Sequence, residues 1–417
     1  MRIFTLARVR QVEPVLSKTF VSLNYRDYRL IWIGSVTEHT GEFMELAAVL
    51  WLAAVTLNAS PFMLTLVAAC TALPIALFAP LGGVLADRFN RRNIVIGTLL
   101  GMTALSLTLT TLVITERVAL WNVILIALGS GSCIGFNHPA RQALFPNLVR
   151  REHLMNAIAL DNGSVMAARL VGMSAAGILI EFFGVTPVFG LRALGLLMAI
   201  LWLLPVRSPP IPPEVRHRPP LSNLTEGLGY LGNHRIILIL VALYLLPMFA
   251  MRSYMGLLPI FARDIFQMGG LGYGLLMTAP GVGSLLSLLT LATFHTLRHR
   301  GVWLFTMGIV TGLALAAFGP SPWILLSLLL LVVIGAANNA FMTLNAALVQ
   351  GSIPDHVRGR VMSLREIAFG LGPAGSLLIG ALAQATDAPF AVAILGVIVF
   401  AIPLLLALAL PRVRQLD

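Results

Sequence analysis

Lysine is almost missing from this chain: Lys18 is the only one in 417 residues, and arginine supplies the rest of the 28 basic side chains. A phosphate-cradling G-x-x-x-x-G-K-[ST] loop needs a lysine behind a glycine; Lys18 follows Ser17, so the sequence holds no ATP site. Energy for any work must come from an ion gradient or from a separate ATPase subunit. Charge of either sign is scarce, at 11% of residues against about a quarter in soluble domains. Cys70 and Cys133 are the only cysteines, and both sit inside apolar runs. That excludes a disulfide framework and a C-x-x-C metal site, and leaves both as small buried hydrophobes. Neither H-E-x-x-H nor G-x-S-x-G occurs, so no metal, cofactor or enzymatic nucleophile is expected. The first residues, Met1 to about Asn24, lack the clean apolar core and small-residue cleavage site of a signal peptide.

What the chain has is apolar length. Hydrophobic residues make up 58% of it, a composition that would aggregate in water and for which a lipid bilayer is the natural solvent. About 20 apolar residues cross the hydrocarbon as a helix. Such stretches lie near 29–57, 62–86, 93–115, 118–143, 156–181 and 186–205, then near 236–262, 271–296, 301–319, 322–348, 360–385 and 388–410. The expected fold is an all-α membrane protein of 12 transmembrane helices in two six-helix bundles. Basic residues crowd the N-terminal arm and every second join, whereas the joins after spans 1, 3, 5, 7, 9 and 11 are short and nearly free of them. All but Arg117, Arg169, Arg192, Arg252 and Arg263 fall on one side when both termini are placed in the cytoplasm. This is the positive-inside pattern of a multi-pass protein of a bacterial inner membrane. The net charge of +11 is therefore topological, and no nucleic-acid partner is expected.

The expected parts are a cytoplasmic arm at 1–28, a bundle at 29–205, a proline-rich cytoplasmic linker with a surface helix at 206–235, a second bundle at 236–411 and a tail at 412–417. The halves echo each other at an offset of about 204: Ala143-Leu144 before span 5 answers Ala347-Leu348 before span 11, and Gly172 and Gly177 answer the run Gly372 to Gly375. Parallel repeats of this kind build transporters that bind cargo between their halves.

Motifs narrow the reading. Gly83-Val-Leu-Ala-Asp87-Arg88-Phe-Asn90-Arg91-Arg92 joins spans 2 and 3 and resembles the signature loop of the major facilitator superfamily, with Asn90 where glycine is usual. Asparagine tolerates a left-handed backbone, so the turn is expected to survive. Asn24-Tyr-Arg26-Asp-Tyr-Arg29, Pro139-Ala-Arg141-Gln142, Leu258-Pro259-Ile-Phe-Ala262-Arg263-Asp264 and Val357-Arg358-Gly359-Arg360 together resemble the drug:proton antiporter-3 branch, which includes enterobactin-exporter-like and macrolide-efflux-like proteins. Span 5 reads Gly172-Met173 where that branch's antiporter motif has Gly-Pro; Gly372-Pro373 stands in span 11 instead. The resemblance implies a proton-coupled carrier. It also implies a cytoplasmic gate of Gly83, Asp87, Arg88, Arg91, Arg92, Arg141 and Arg360, in which Asp87 pairs near the start of span 11.

Charge inside the membrane costs roughly 2.5–3.5 kcal/mol per residue, so each such residue needs a reason. Glu38, Glu42 and Glu45 of span 1 lie within about 60° on one helical stripe and must face the bundle interior or a wet cavity. Three carboxylates this close resist ionising together, so one is expected to hold a proton; lining a vestibule without coupling is the alternative. Arg252 in span 7 is expected to pair with Glu42 or Glu45 across the centre, and Arg169 and Glu366 stand at matching depths in spans 5 and 11. His39, Asn137, His138, Asn338, Asn339 and Asn345 either line the cargo path or bond helix to helix. Gly129, Gly131 and Gly135 suit close helix packing.

The function expected is proton-coupled export of an amphipathic small molecule (drug, siderophore or lipid-like metabolite) by a monomer, the acidic stripe favouring a cationic or neutral cargo. An uptake symporter or facilitator is the alternative on this fold, and a non-transporting receptor or scaffold the alternative of another class.

Overall fold

A computed structural model describes residues 19–145, 148–206, 229, 231–293, 299–354, 361 and 372–414, and among these every regular element is helical. The first six long helices are α1 (Arg26–Trp51), α2 (Pro61–Arg88), α3 (Arg91–Ile114), α4 (Leu120–Gln142), α5 (Leu154–Phe183) and α6 (Thr186–Leu203). The second six are α7 (Arg235–Leu243 and Leu245–Ile260), α8 (Gly270–Thr293), α9 (Arg300–Phe318), α10 (Ile324–Ser352), α11 (Gly372–Ala385) and α12 (Ala388–Ala409). Ten of the described helices are long and apolar enough to cross a membrane, all but α1 and α11. α1 has the length, at 26 residues, but carries Glu38, Glu42 and Glu45; α11 is the described part of the eleventh position. The expected linker helix falls almost wholly outside the described residues.

Local chemistry sets the helix starts. Ser60 and Asp387 each accept a backbone N–H from the first turn of α2 and α12, with a proline opening each helix. Asn90 differs from expectation. Its φ is −61° and its side chain accepts the Arg92 N–H at 3.0 Å, so it caps α3 rather than supplying a left-handed turn. The capping oxygen, which glycine lacks, is what asparagine contributes there.

The repeat reaches down to single residues. α1 runs into a π-helical turn at Leu52–Thr56, followed by Asn58 at φ 47°; α7 runs into one at Phe261–Ile265, followed by Gln267 at φ 53°. The bonds closing the turns, Leu57 N–H to Leu52 C=O and Phe266 N–H to Phe261 C=O, occupy equivalent places. Within the first bundle, Gly131 and Gly135 let α4 lie against the backbone of α2 at Thr71 and Ile75, as their spacing suggested. Outward faces carry leucines such as Leu77, Leu125, Leu325 and Leu405, which suits a surface facing lipid.

How the halves meet positions the site. At the end of the molecule carrying the described chain ends, each half has its own apolar core: one of Tyr28, Leu99, Leu144 and Leu203, the other of Leu240, Phe305, Phe341 and Leu348. At the opposite end a single core runs through both, joining Trp51, Leu64 and Phe189 to Tyr254, Tyr273 and Val392. Among the described residues, every hydrogen bond between the halves lies at that second end or at mid-depth. Tyr273 donates to the Ala47 carbonyl at 3.1 Å, Ser60 to Gln384 at 3.0 Å, and the Leu271 N–H to Glu181 at 3.1 Å; Arg263 reaches the Ala54 carbonyl. The Ser174 and Thr278 hydroxyls meet at 3.1 Å. The molecule is shut at the end away from its termini.

Candidate functional site: a buried charge network and the seam between the halves

The stripe on α1 points inward. Glu38 and His39 are 4% and 3% exposed and lie against α4 and α6. Arg141 donates to Glu38 at 2.8 Å, and its other terminal nitrogen lies 2.6 Å from His39 Nε2. His39 Nδ1 in turn meets Glu42 Oε2 at 3.1 Å, and the His138 ring stands edge-on to His39 with centroids 6.2 Å apart. Arg192 of α6 donates to Glu45 at 3.3 Å and to the Glu38 backbone carbonyl. Gly41 makes room for it: a β-carbon there would lie 2.8 Å from Arg192 Cδ. Three carboxylates therefore face two guanidiniums, with His39 bridging Arg141 and Glu42. If His39 is neutral the set is one positive charge short, and one proton shared within it restores balance. Beside Glu38 and Arg141 lies a small cavity bounded by Ile31, Ser35 and Leu144. The Ser35 hydroxyl is buried without a partner, a place suited to one ordered water.

Two expectations change here. Arg141, expected in the cytoplasmic gate, lies in this network, because the last turn of α4 carries its side chain into the bundle, 6% exposed. Glu42 and Glu45 have His39 and Arg192 as their partners rather than Arg252, which packs along Gly372 of α11. Arg192 was visible in the sequence as an arginine inside a span. Its partner was not, since only tertiary packing brings α6 to α1.

Of the remaining gate residues, Arg91 donates to the Ala86 and Ala143 carbonyls at 3.1 and 2.7 Å and stands 3.9 Å from Asp87. Arg92 donates to the Leu203 carbonyl at 3.1 Å and to that of Leu204. Both arginines thus satisfy backbone carbonyls at helix ends and tie the 2–3 loop to the ends of α4 and α6. Gly83 has open space around it and Arg88 is exposed. Arg360 and Glu366 lie outside the described residues, as does the start of span 11 to which Asp87 was expected to pair.

The asparagines divide. Asn137 donates to Thr98 at 3.0 Å, Asn339 to the Ser284 carbonyl at 3.3 Å and Asn345 to the Leu240 carbonyl at 2.7 Å, all helix-to-helix bonds. Asn338 instead reaches the Met251 sulfur at 3.8 Å; its oxygen, like those of Asn137 and Asn345, is buried without a partner. The same sulfur is shared by Arg169 of α5, whose Nη2 lies 3.8 Å from it and 3.3 Å from Met255 Sδ.

Two pseudo-symmetric bundles with charge buried at the centre, sharing one core at the end away from the termini and holding separate cores among the described residues at the other, define a major facilitator transporter. The chain belongs to the transmembrane secretion effector family, whose model matches residues 17–417. It is 24% identical over 367 residues to macrolide efflux protein A of Streptococcus pyogenes, covering 86% of this chain and 90% of that one. It is 29% identical over 345 residues to the enterobactin exporter EntS of Escherichia coli O81 (strain ED1a), covering 80% of each. Its fold matches the solved structure of the POT family transporter PepTSo with a TM-score of 0.75, at 12% identity, over 94% of this chain and 99% of that one. These matches bear out the drug:proton antiporter-3 resemblance, and they are to transporters rather than enzymes.

Proposed function

We propose that the protein exports an amphipathic small molecule across a bacterial inner membrane in exchange for protons, working as a monomer with both termini in the cytoplasm. The family and the two efflux relatives support export. Arginine crowding on the terminal side supports the orientation. On this reading the described conformation is inward-facing, closed outside and parted inside.

One observation carries the coupling: the α1 network of Glu38, Glu42 and Glu45 against Arg141 and Arg192, with His39 bridging Arg141 and Glu42. With His39 neutral, the set is one positive charge short and exchanges a single proton without leaving a bare charge in the membrane. The gate residues Gly83, Asp87, Arg88, Arg91, Arg92 and Arg360 act as the latch of the opposite, outward-facing state.

The test is proteoliposomes loaded with a pH-sensitive dye and given a macrolide or enterobactin, the cargos named for the relatives. Export by exchange moves protons opposite to cargo, and Glu42→Gln abolishes the proton signal. Protons moving with cargo support uptake instead. Cargo movement without protons supports a facilitator, and no movement of either probe with a folded protein counts against both.

A further inference from the structure

Outside the α1 network lies another buried charge, Arg169. Arg169 stands midway along α5, where the first half meets α7 of the second. Its contacts are two thioethers, Met251 and Met255, and the Phe43 ring, whose centroid is 5.8 Å from the guanidinium carbon. Its Nε is buried without a partner, and among the described residues no carboxylate reaches it. A guanidinium has five N–H donors, and a thioether is a weak acceptor, so this is a poorly satisfied cation. The other buried arginines differ: Arg141 and Arg192 hold carboxylates. Arg252 lies near enough to add positive potential at the same place. Beside it, the Asn338 oxygen is a buried acceptor with nothing to accept.

The position matters as much as the charge. Arg169 makes the innermost of the described bonds between the halves, with the Ser174–Thr278 contact farther along α5 toward the shut end. It therefore stands on the seam itself, with side chains of both halves around it. Resting on the transport reading, we propose that the seam binds the anionic group of an amphipathic cargo. That group is a carboxylate or ionised phenol on an aromatic or apolar body. Arg169 holds the anion, Asn338 accepts a hydroxyl, and Phe43, Met251 and Met255 pack against the body. This reverses the cationic or neutral cargo that the α1 carboxylates suggested, because those carboxylates are already engaged.

The test uses three probes of one shape: 1-naphthoate, 1-naphthylmethanol and 1-naphthylmethylammonium, titrated into the purified full chain in nanodiscs of zwitterionic lipid. Naphthoate should bind at least about tenfold tighter than the other two, the size of one charge-assisted hydrogen bond. Arg169→Gln should remove that preference while leaving naphthylmethanol binding and the melting temperature unchanged, and Arg169→Lys should restore part of it. The proposal is overturned if the ammonium binds as well as the carboxylate, or if Arg169→Gln keeps the preference. It is also overturned if phosphatidylglycerol in the nanodisc displaces naphthoate, since the site would then belong to lipid. Probe binding is measured without a pH gradient, so loss of proton-coupled export with the anion preference intact would sink only the export reading.

Discussion

Replacing Arg141 by methionine isolates the energetic weight of the α1 network. Arg141 and Glu38 are 6% and 4% exposed and stand 2.8 Å apart, so the substitution strands a buried carboxylate without its guanidinium partner. Breaking a buried pair from one side costs about 3–5 kcal/mol, whereas replacing both partners by apolar groups of similar volume is near neutral. Arg141→Met also removes the contact to His39 Nε2, adding about 1 kcal/mol. Against a typical total of about 5–15 kcal/mol this is a large loss. Cys70 and Cys133 are both only partly exposed, so a thiol-reactive fluorogenic dye reports unfolding as they emerge. Arg141→Met should melt well below wild type, Glu38→Leu less so because Arg141 keeps His39, and Glu38→Leu/Arg141→Met should recover most of the loss. If Arg141→Met melts with wild type, or if the double variant is worse than either single one, the pair is not the buried unit described.

Gly131 faces the Thr71 backbone of α2, and a β-carbon there has no flexible side chain to displace. Gly131→Ala should therefore cost about 1–3 kcal/mol by forcing α2 from α4, read as a lower melting temperature; an unchanged one would refute the close approach. Gly41→Ala should act through Arg192, loosening its bond to Glu45, and should weaken proton coupling before it weakens folding; unchanged proton flux would refute this. For orientation, Glu116→Cys should react with an impermeant maleimide in intact cells and Arg150→Cys only after permeabilisation, in a background lacking Cys70 and Cys133. The reverse pattern would invert the topology.

The helices were legible because an apolar run of about 20 residues has one physical meaning in a bilayer. The α1 stripe was legible because 100° per residue puts Glu38, Glu42 and Glu45 on one face that lipid cannot accept. Their partners were not legible. Arg141 read as a gate residue because it stands at the cytoplasmic end of its span, where a side chain can turn either to the loop or into the bundle, and Arg192 could have met any of several helices. Asn90 was legible as a departure from the signature but not as a cap, since both a left-handed turn and a capping side chain suit asparagine. Arg169 was visible as a charge at mid-depth. That no carboxylate among the described residues reaches it became visible only in the structure. The closed end was hidden for a deeper reason: it belongs to one of the two states that alternating access requires.

A cross-link at the closed end tests alternating access most directly. The Ser174 and Thr278 oxygens are 3.1 Å apart across the seam, so Ser174→Cys/Thr278→Cys places two thiols within reach of a disulfide. In a background lacking Cys70 and Cys133, oxidation should form the bond in the resting protein and stop transport of the macrolide or enterobactin probe, and reduction should restore it. A fully cross-linked protein that moved cargo at the uncross-linked rate would contradict the account.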